Sequence, residues 1–332
     1  MDKFYSAGII GIGSYIPERI VTNFDIEKHM DTTNEWIVER TGVHQRRFVR
    51  DDECTSSIAT IAAQRALESA KMSADELDLI ILASAAPDMA FPSTACLVQD
   101  NIKAKNAAAF DLSAGCSGFV YNLAIAAQFI QTGMYKNVMI IGSETLSKVL
   151  NLEDRNTGML FGDGAGAAII SRVEDGYGAL SFDLGADGSG AFSLYQPAGG
   201  SRMPASHETV DKKLHTIHMK GTEVFKFATK IMSTATFAAL KKANMTTEDI
   251  DLFVPHQANI RIIDFATKRM NIPNSKVMAN IDVMGNTSAA SIPIALVEAM
   301  EKGRLKKGDN VLMVGFGAGL TWAACMLKWS MD

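Results

Sequence analysis

The chain has 332 residues, enough for one large domain or two of roughly 150 each, and 47% are apolar, so a substantial core forms without metal or disulfide support. A net charge of −5, with 32 basic and 37 acidic residues mixed along the chain, excludes the basic surplus of a general nucleic-acid binder. Four scattered cysteines (Cys54, Cys96, Cys116, Cys325), with no C-x-x-C pair and no histidine at zinc-ligand spacing, argue against a disulfide framework or zinc site and suit a reducing cytoplasm.

In chain order, Met1-Asp2-Lys3-Phe4 carries no basic segment followed by a long apolar run, so no signal peptide is expected. Gly11-Ile12-Gly13 follows an apolar run like a nucleotide-binding turn, but the third glycine is missing and Pro17 comes soon after. Residues 66–72 read as the end of a helix, and Leu77-Asp78-Leu79-Ile80 as the entry to a buried strand. Residues 111–119 form a strand-to-helix turn that carries Cys116. The helix after it shows Phe119, Val120, Leu123, Ala124, Ala127 and Ile130 on nearly every side and is therefore buried. Even this apolar stretch is too short to span a bilayer. It ends near Gly133, ahead of the apolar strand 137–142. Phe161-Gly162-Asp163-Gly164-Ala165-Gly166 mimics a phosphate loop, yet it runs into a strand, residues 167–170, and has no phosphate-binding Lys. Close backbone packing accounts better for its glycines. Residues 183–213 are polar and Gly-rich and read as an insertion or loop.

The pattern then returns. Residues 239–245 lead into Ile250-Asp251-Leu252-Phe253 at the spacing of residues 66–80, and Gly285-Asn286 opens a small-residue helix as Gly115-Cys116 does. That helix ends near Gly303 and leads into the apolar strand 310–315. Two such matches in the same order point to duplication: two similar α/β halves, 1–173 and 174–332, with mainly parallel sheets covered by helices on both faces. Chemistry is expected between the halves, with a contribution from each.

Cys116 faces the unpaired N–H groups and positive dipole end of a helix, which favour thiolate, and its small neighbours leave room for a substrate. The turn alone is equally compatible with a small buried core residue. His256, in Val254-Pro255-His256-Gln257-Ala258-Asn259, lies just past an apolar strand, and Asn286 stands at the position matching Cys116. Singly, His256 reads as a structural histidine and Asn286 as a helix N-cap. Together, a Cys, a His and an Asn at the carboxyl ends of buried strands can share one pocket.

Residues 111–119, 254–259 and 285–290 resemble the three signature segments of β-ketoacyl-acyl-carrier-protein synthase III, the thiolase-superfamily condensing enzyme that initiates type II fatty-acid synthesis. The likeness runs nearly end to end, through Trp36-Ile37-Val38-Glu39-Arg40-Thr41-Gly42, residues 161–166, Gly315-Phe316-Gly317 and Leu320-Thr321-Trp322. It implies a duplicated thiolase-like α/β fold and a ping-pong acyltransferase. Cys116 would take the acyl group of an acyl-CoA primer, acetyl-CoA in the first place. Malonyl-acyl-carrier protein would then lose carbon dioxide and condense with it to give 3-oxoacyl-acyl-carrier protein. CoA thioesters are substrates in this scheme, and no cofactor or metal is expected. His256, in neutral form, and Asn286 would donate to the malonyl thioester oxygen, where a carboxylate would repel the developing charge.

The resemblance also implies that the backbone N–H groups of Cys116 and Ala318 hold the acyl thioester oxygen. Ala318 stands where relatives often have Gly, so φ > 0 there would be strained. Phe316 would screen the decarboxylation site from water. Trp36 and Arg155 match positions that sandwich adenine, with Thr32 and Arg40 nearby, and Gly221 and Asn259 border the pantetheine arm. Phe91, Asn156, Leu160 and Phe161 fall to the acyl pocket, with Phe91 reaching the partner's pocket in a homodimer. Lys226, Lys230, Arg261 and Lys268 would meet an acidic acyl-carrier protein. Neither nucleic acid nor membrane is an expected partner, and the cytoplasm is the expected location. A Cys-dependent acyltransferase or a secondary-metabolite condensing enzyme on the same scaffold stays open, as do acetyl, branched-chain and longer primers.

Overall fold

The strand β6 (Asn137–Glu144) sends Val138 and Ile140 to one side and Met139 and Ile141 to the other, and all four are fully buried, so it must be covered on both faces. The computed structural model describes residues 4–332; the leader reading at Met1-Asp2-Lys3 falls outside them. With β6, the strands β1 (Ser6–Tyr15), β4 (Leu79–Ala83), β5 (Ala108–Leu112) and β7 (Gly164–Val173) form one sheet in the order β1-β7-β6-β4-β5. A second sheet joins β11 (Leu252–Pro255), β12 (Asn310–Gly317), β13 (Thr321–Lys328) and β8 (Gly178–Ala186) in that order. Two short pairs complete the described strands, β2 (Arg19–Thr22) with β3 (Gln45–Phe48) and β9 (Leu194–Tyr195) with β10 (His218–Met219).

The core sorts these elements into layers. Helices Gly118–Gln131 and Ser291–Glu301 lie between the sheets: Phe119, Leu123, Ile292 and Leu296 share a cluster with Ile9 and Ile140 of one sheet and Val254 and Met313 of the other. Helices Thr55–Ala70 and Thr94–Asn101 cover the outer face of the first sheet, and Gly221–Lys242 and Ile260–Met270 that of the second. The result is a helix–sheet–helix–sheet–helix stack. No helix among the described residues is long and apolar enough to cross a membrane.

The sheets are mixed, not mainly parallel. β4 runs parallel to β5 and β6, and β11 to β12, whereas β1 and β6 are antiparallel to β7, and β12 and β8 to β13. The chain links β12 to β13 through the short turn Ala318–Leu320, too short for the crossover that a parallel neighbour requires. Asp183 belongs to β8, an edge strand that tolerates polar residues, so the irregular region begins only at Asp187.

Five strands end at one place. Ala85 follows β4, Cys116 follows β5, Glu144 ends β6, His256 follows β11, and Phe316 and Gly317 end β12. The carboxyl ends of parallel strands are where α/β sheets place ligands. Glycine brings the two halves together there. A Cβ on Gly142 would stand 2.2 Å from the Ala289 carbonyl oxygen, far inside contact distance. Gly142→Ala is predicted to cost about 1–3 kcal/mol by overpacking, read as a lowered denaturation midpoint. Gly188→Ala, where a Cβ meets nothing within 4 Å, should stay within about 0.5 kcal/mol of the parent.

Candidate active site

Cys116 lies in the single 3-10 turn Gly115–Ser117, and helix Gly118–Gln131 follows directly. The turn is locked to the second half by Thr321, whose hydroxyl donates to the Ala114 carbonyl at 2.7 Å. Gly317 reaches it most closely: a Cβ there would stand 2.4 Å from the Cys116 nitrogen and 3.1 Å from its Sγ. Such packing leaves the thiol buried, and burial pushes its pKa up to about 12, with the Ser288 hydroxyl opposing and the Glu144 charge adding to the rise. Burial thus opposes the helix-mouth thiolate expected from the sequence.

His256 is buried where β11 ends, its N–H bonded to the Val314 carbonyl at 2.8 Å and its ring edge-on to Phe316 at 5.4 Å. Its Nδ1 lies 2.7 Å from Ser291 Oγ. That hydroxyl accepts from the Gln257 N–H at 3.4 Å, and Nδ1 is the one acceptor for its proton among the described residues. With the ring proton on Nε2, Nδ1 accepts from that hydroxyl. Burial lowers the His256 pKa to about 3, which keeps the ring neutral.

Asn286 is held on both sides. Its N–H donates to the Leu160 carbonyl at 2.9 Å and its carbonyl accepts from the Gly162 N–H at 3.0 Å. Its Oδ1 accepts from the Ser288 N–H at 2.9 Å, an Asx turn that leaves the amide NH2 for the cavity. It is thus no helix cap, and it does not occupy the place that matches Cys116. A helix starts at 118, two residues after Cys116, but at 291, five residues after Asn286, so the second turn is three residues longer.

Two cavities meet at Cys116. One, of about 440 Å³, brings together Cys116, His256, Asn286 and Phe316 with Trp36, Arg40, Arg155, Gly221 and Asn259. Thr32 is not on its wall; the hydroxyl is buried without a partner. Trp36 and Arg155 do not stand apart as a sandwich: the guanidinium stacks on the indole at 4.0 Å, because a cation finds its own favourable site on that ring face. The other cavity, of about 410 Å³, joins Cys116 to Leu146, Phe161, Leu194, Tyr195 and Ile217. Phe161 lines both cavities, whereas Asn156 and Leu160 line only the first. The turn 154–157 tethers Asn156 on the first cavity's side, through Asp154 at 3.1 Å. Phe91 is 84% exposed and lines neither cavity of its own chain.

Ala318 borders Gly115, whose Cβ would meet its nitrogen at 2.7 Å, and the positive φ values of the turn fall on Gly319 (+92°) and Leu320 (+24°), which spares Ala318 the strain expected of alanine. Lys226, Lys230, Arg261 and Lys268 are all exposed on helices Gly221–Lys242 and Ile260–Met270, and Arg261 lies over Phe225 at 5.7 Å. Sequence reasoning missed Glu144, Ser288 and Ser291. Only Glu144 left a signal, as an acid that closes a buried strand with an apolar centre, Val138 to Ile141.

A family model described as 3-oxoacyl-[acyl-carrier-protein (ACP)] synthase III matches residues 110–188, and its C-terminal counterpart matches residues 240–329. The chain is 61% identical over 330 residues to the β-ketoacyl-[acyl-carrier-protein] synthase III of Caldanaerobacter subterraneus subsp. tengcongensis, with 99% of this chain and 100% of that one covered. The crystal structure of 3-oxoacyl-[acyl-carrier-protein] synthase III from Aquifex aeolicus superposes with a TM-score of 0.90 at 47% identity, covering 97% of this chain and 100% of that one. The Thermus thermophilus enzyme gives 0.91 at 47% identity, with 98% and 100% covered.

The burial of His256 has a consequence for pH. Its pKa when folded lies below the 6.5 it regains when unfolded, so protons favour the unfolded chain, and its share of stability is lost as pH falls below 6.5. The ring is predicted to stay neutral and Nε2-protonated at about pH 5. Nitrogen chemical shifts of labelled histidine test this, and an imidazolium signal from His256 at that pH would contradict it.

Proposed function

The chain belongs to the β-ketoacyl-[acyl-carrier-protein] synthase III family, and we propose from this that Cys116 holds the primer while His256 and Asn286 generate the carbon that attacks it. As a member of that family it is a thiolase-like acyltransferase that performs the initiating condensation of fatty-acid synthesis. It joins an acyl-CoA to malonyl-acyl-carrier protein with loss of carbon dioxide, and the thioesters are its substrates. The observation that carries the division of roles is the single cavity that Cys116, His256 and Asn286 share.

In the first half-reaction Cys116 sulfur bonds to the acyl carbon and the bond from that carbon to CoA sulfur breaks. The Cys116 and Ala318 N–H groups receive the oxyanion, a role supported by the close approach of their two turns. In the second, malonyl thioester loses carbon dioxide, and its oxygen gains charge between His256 Nε2–H and the Asn286 NH2. Each donor contributes about 3–4 kcal/mol at the transition state. The neutral ring suits this role, because it donates without acting as an acid. The carbanion then attacks the acyl-Cys116 carbonyl, and the sulfur departs. Phe316, packed on His256, keeps water from the carbanion.

The cavity lined by Trp36, Arg40, Arg155, Gly221 and Asn259 takes the nucleotide and pantetheine arm, and Arg155 moves off Trp36 to admit the base. The cavity lined by Leu146, Phe161 and Ile217 takes the primer. Lys226, Lys230, Arg261 and Lys268 dock the carrier protein. A homodimer is supported by β5, an unpaired sheet edge that exposes Phe110, near which Phe91 stands out for a partner's pocket. Four free cysteines support a cytoplasmic location.

Cys116→Ser is predicted to abolish a stable acyl adduct in intact-protein mass spectra after incubation with acetyl-CoA. Asn286→Ala should retain the adduct and lose about 10²–10³ in carbon dioxide release from malonyl-acyl-carrier protein. Equal loss of both half-reactions in a folded Asn286→Ala protein would reject the division of roles. Phe110→Asp is predicted to give monomers by light scattering, and an unchanged dimer would reject β5 as its edge.

A further inference from the structure

One proton has no assigned destination in this scheme. Cys116 must lose it before its sulfur attacks, and His256 is poorly placed to take it because burial disfavours an imidazolium. Ser288 lines the same cavity as Cys116 and is buried. Its neighbour Ala289 donates its N–H to Glu144, and its own hydroxyl, beside Cys116 on the cavity wall, has no hydrogen-bond partner. A left-handed backbone, φ +46°, holds it there, a conformation serine adopts only under constraint. The Asn286 side chain supplies that constraint through the Ser288 N–H. A buried hydroxyl without an aligned partner, on strained backbone, marks a place kept for something other than stability.

Glu144 is fully buried and accepts from the Ala85 N–H at 3.0 Å, the Ser84 hydroxyl at 3.1 Å and the Ala289 N–H at 3.4 Å. Those groups, from the end of β4 and from the turn after Asn286, are neutral. The titratable group facing it is Cys116, on the turn after β5, and His256 lines the adjoining cavity. No cation bonds Glu144 among the described residues.

We propose that Ser288 and Glu144 form a proton relay for Cys116: the thiol proton passes to Ser288 Oγ as the Ser288 proton passes to a Glu144 oxygen. This rests on Cys116 being the acylated nucleophile. The thiolate then bonds to the acyl carbon, the bond to CoA sulfur breaks, and the departing CoA thiolate takes a proton from solvent. Glu144 holds the stored proton while the sulfur is acylated. When the new carbon–carbon bond forms and the Cys116 sulfur–carbon bond breaks, the proton returns through Ser288 to the sulfur. Burial lifts the Glu144 pKa to about 7, so the carboxyl both accepts and releases a proton near neutrality.

Alkylation of Cys116 by iodoacetamide, followed by intact and peptide mass from about pH 5.5 to about pH 9, tests the relay without substrate. The parent rate should rise with an inflection near pH 7. Glu144→Gln and Ser288→Ala should each lose that inflection and react about tenfold or more slowly at high pH. Retention of the inflection in either variant, or a parent rate that climbs without one, overturns the relay. Should Glu144→Gln fail to fold, Ser288→Ala decides. Acylation by acetyl-CoA at a residue other than Cys116 would instead overturn the nucleophile assignment on which the relay rests.

Discussion

Water is excluded from the seam where the helix-opening turns of the two halves meet, because glycine lets backbone touch backbone there. Gly142 packs on Ala289 and Gly317 on Cys116, at distances no side chain would permit. From that exclusion the electrostatics of the site follow. The imidazole is neutral, the thiol keeps its proton, and the Glu144 carboxyl is drawn toward neutrality, all chiefly through desolvation. In the same dry seam hydrogen-bond donors act on developing charge with little screening. In the proposed reaction the seam would therefore strengthen the donors His256 and Asn286 and at the same time weaken the nucleophile they serve.

Separating the reaction into two cavities accommodates that conflict. Cys116 belongs to both, and Phe161 forms part of the wall of each. The sulfur can hold a primer on its apolar side while the other cavity exchanges CoA for a carrier-bound pantetheine. The loop from 157 to 162 carries this partition, and Asn286 is bonded to it at Leu160 and Gly162. The amide donor is thus positioned by the same backbone that divides the cavities, which couples its placement to the presence of an intact wall.

The convergence of Cys116, His256 and Asn286 on one cavity was legible because duplication made the end of each buried strand comparable, and Cys, His and Asn stand out among apolar neighbours. Sheet direction was not legible. Residues 167–170 of β7 are as apolar as residues 138–141 of β6, and both are buried between helices, so composition is blind to which way the chain runs. The register of Asn286 against Cys116 was misleading for a related reason: both turns open with a glycine of positive φ, and the three extra residues lie in a run of small polar side chains without periodicity. The second cavity drew Leu146 and Ile217 from segments with no motif, one after β6 and one before β10. The Trp36–Arg155 contact depended on a side-chain rotamer, which residue identity does not determine.

Those three extra residues acquire a use. The longer turn lets one side chain act at both ends: Asn286 Oδ1 restrains the Ser288 N–H, and its NH2 remains for the cavity. A turn as short as that at Cys116 would have carried the chain straight into the helix, with no room for Ser288 to approach the thiol or for Ala289 to donate to Glu144. In the reaction we propose, the first half supplies a nucleophile and a buried acid; the second supplies the hydroxyl between them and the donors for the carbanion. Neither half holds a complete set for either half-reaction. The packing that dries the seam is for that reason also what assembles the reagents, and a loosening of it would act on acylation and decarboxylation together.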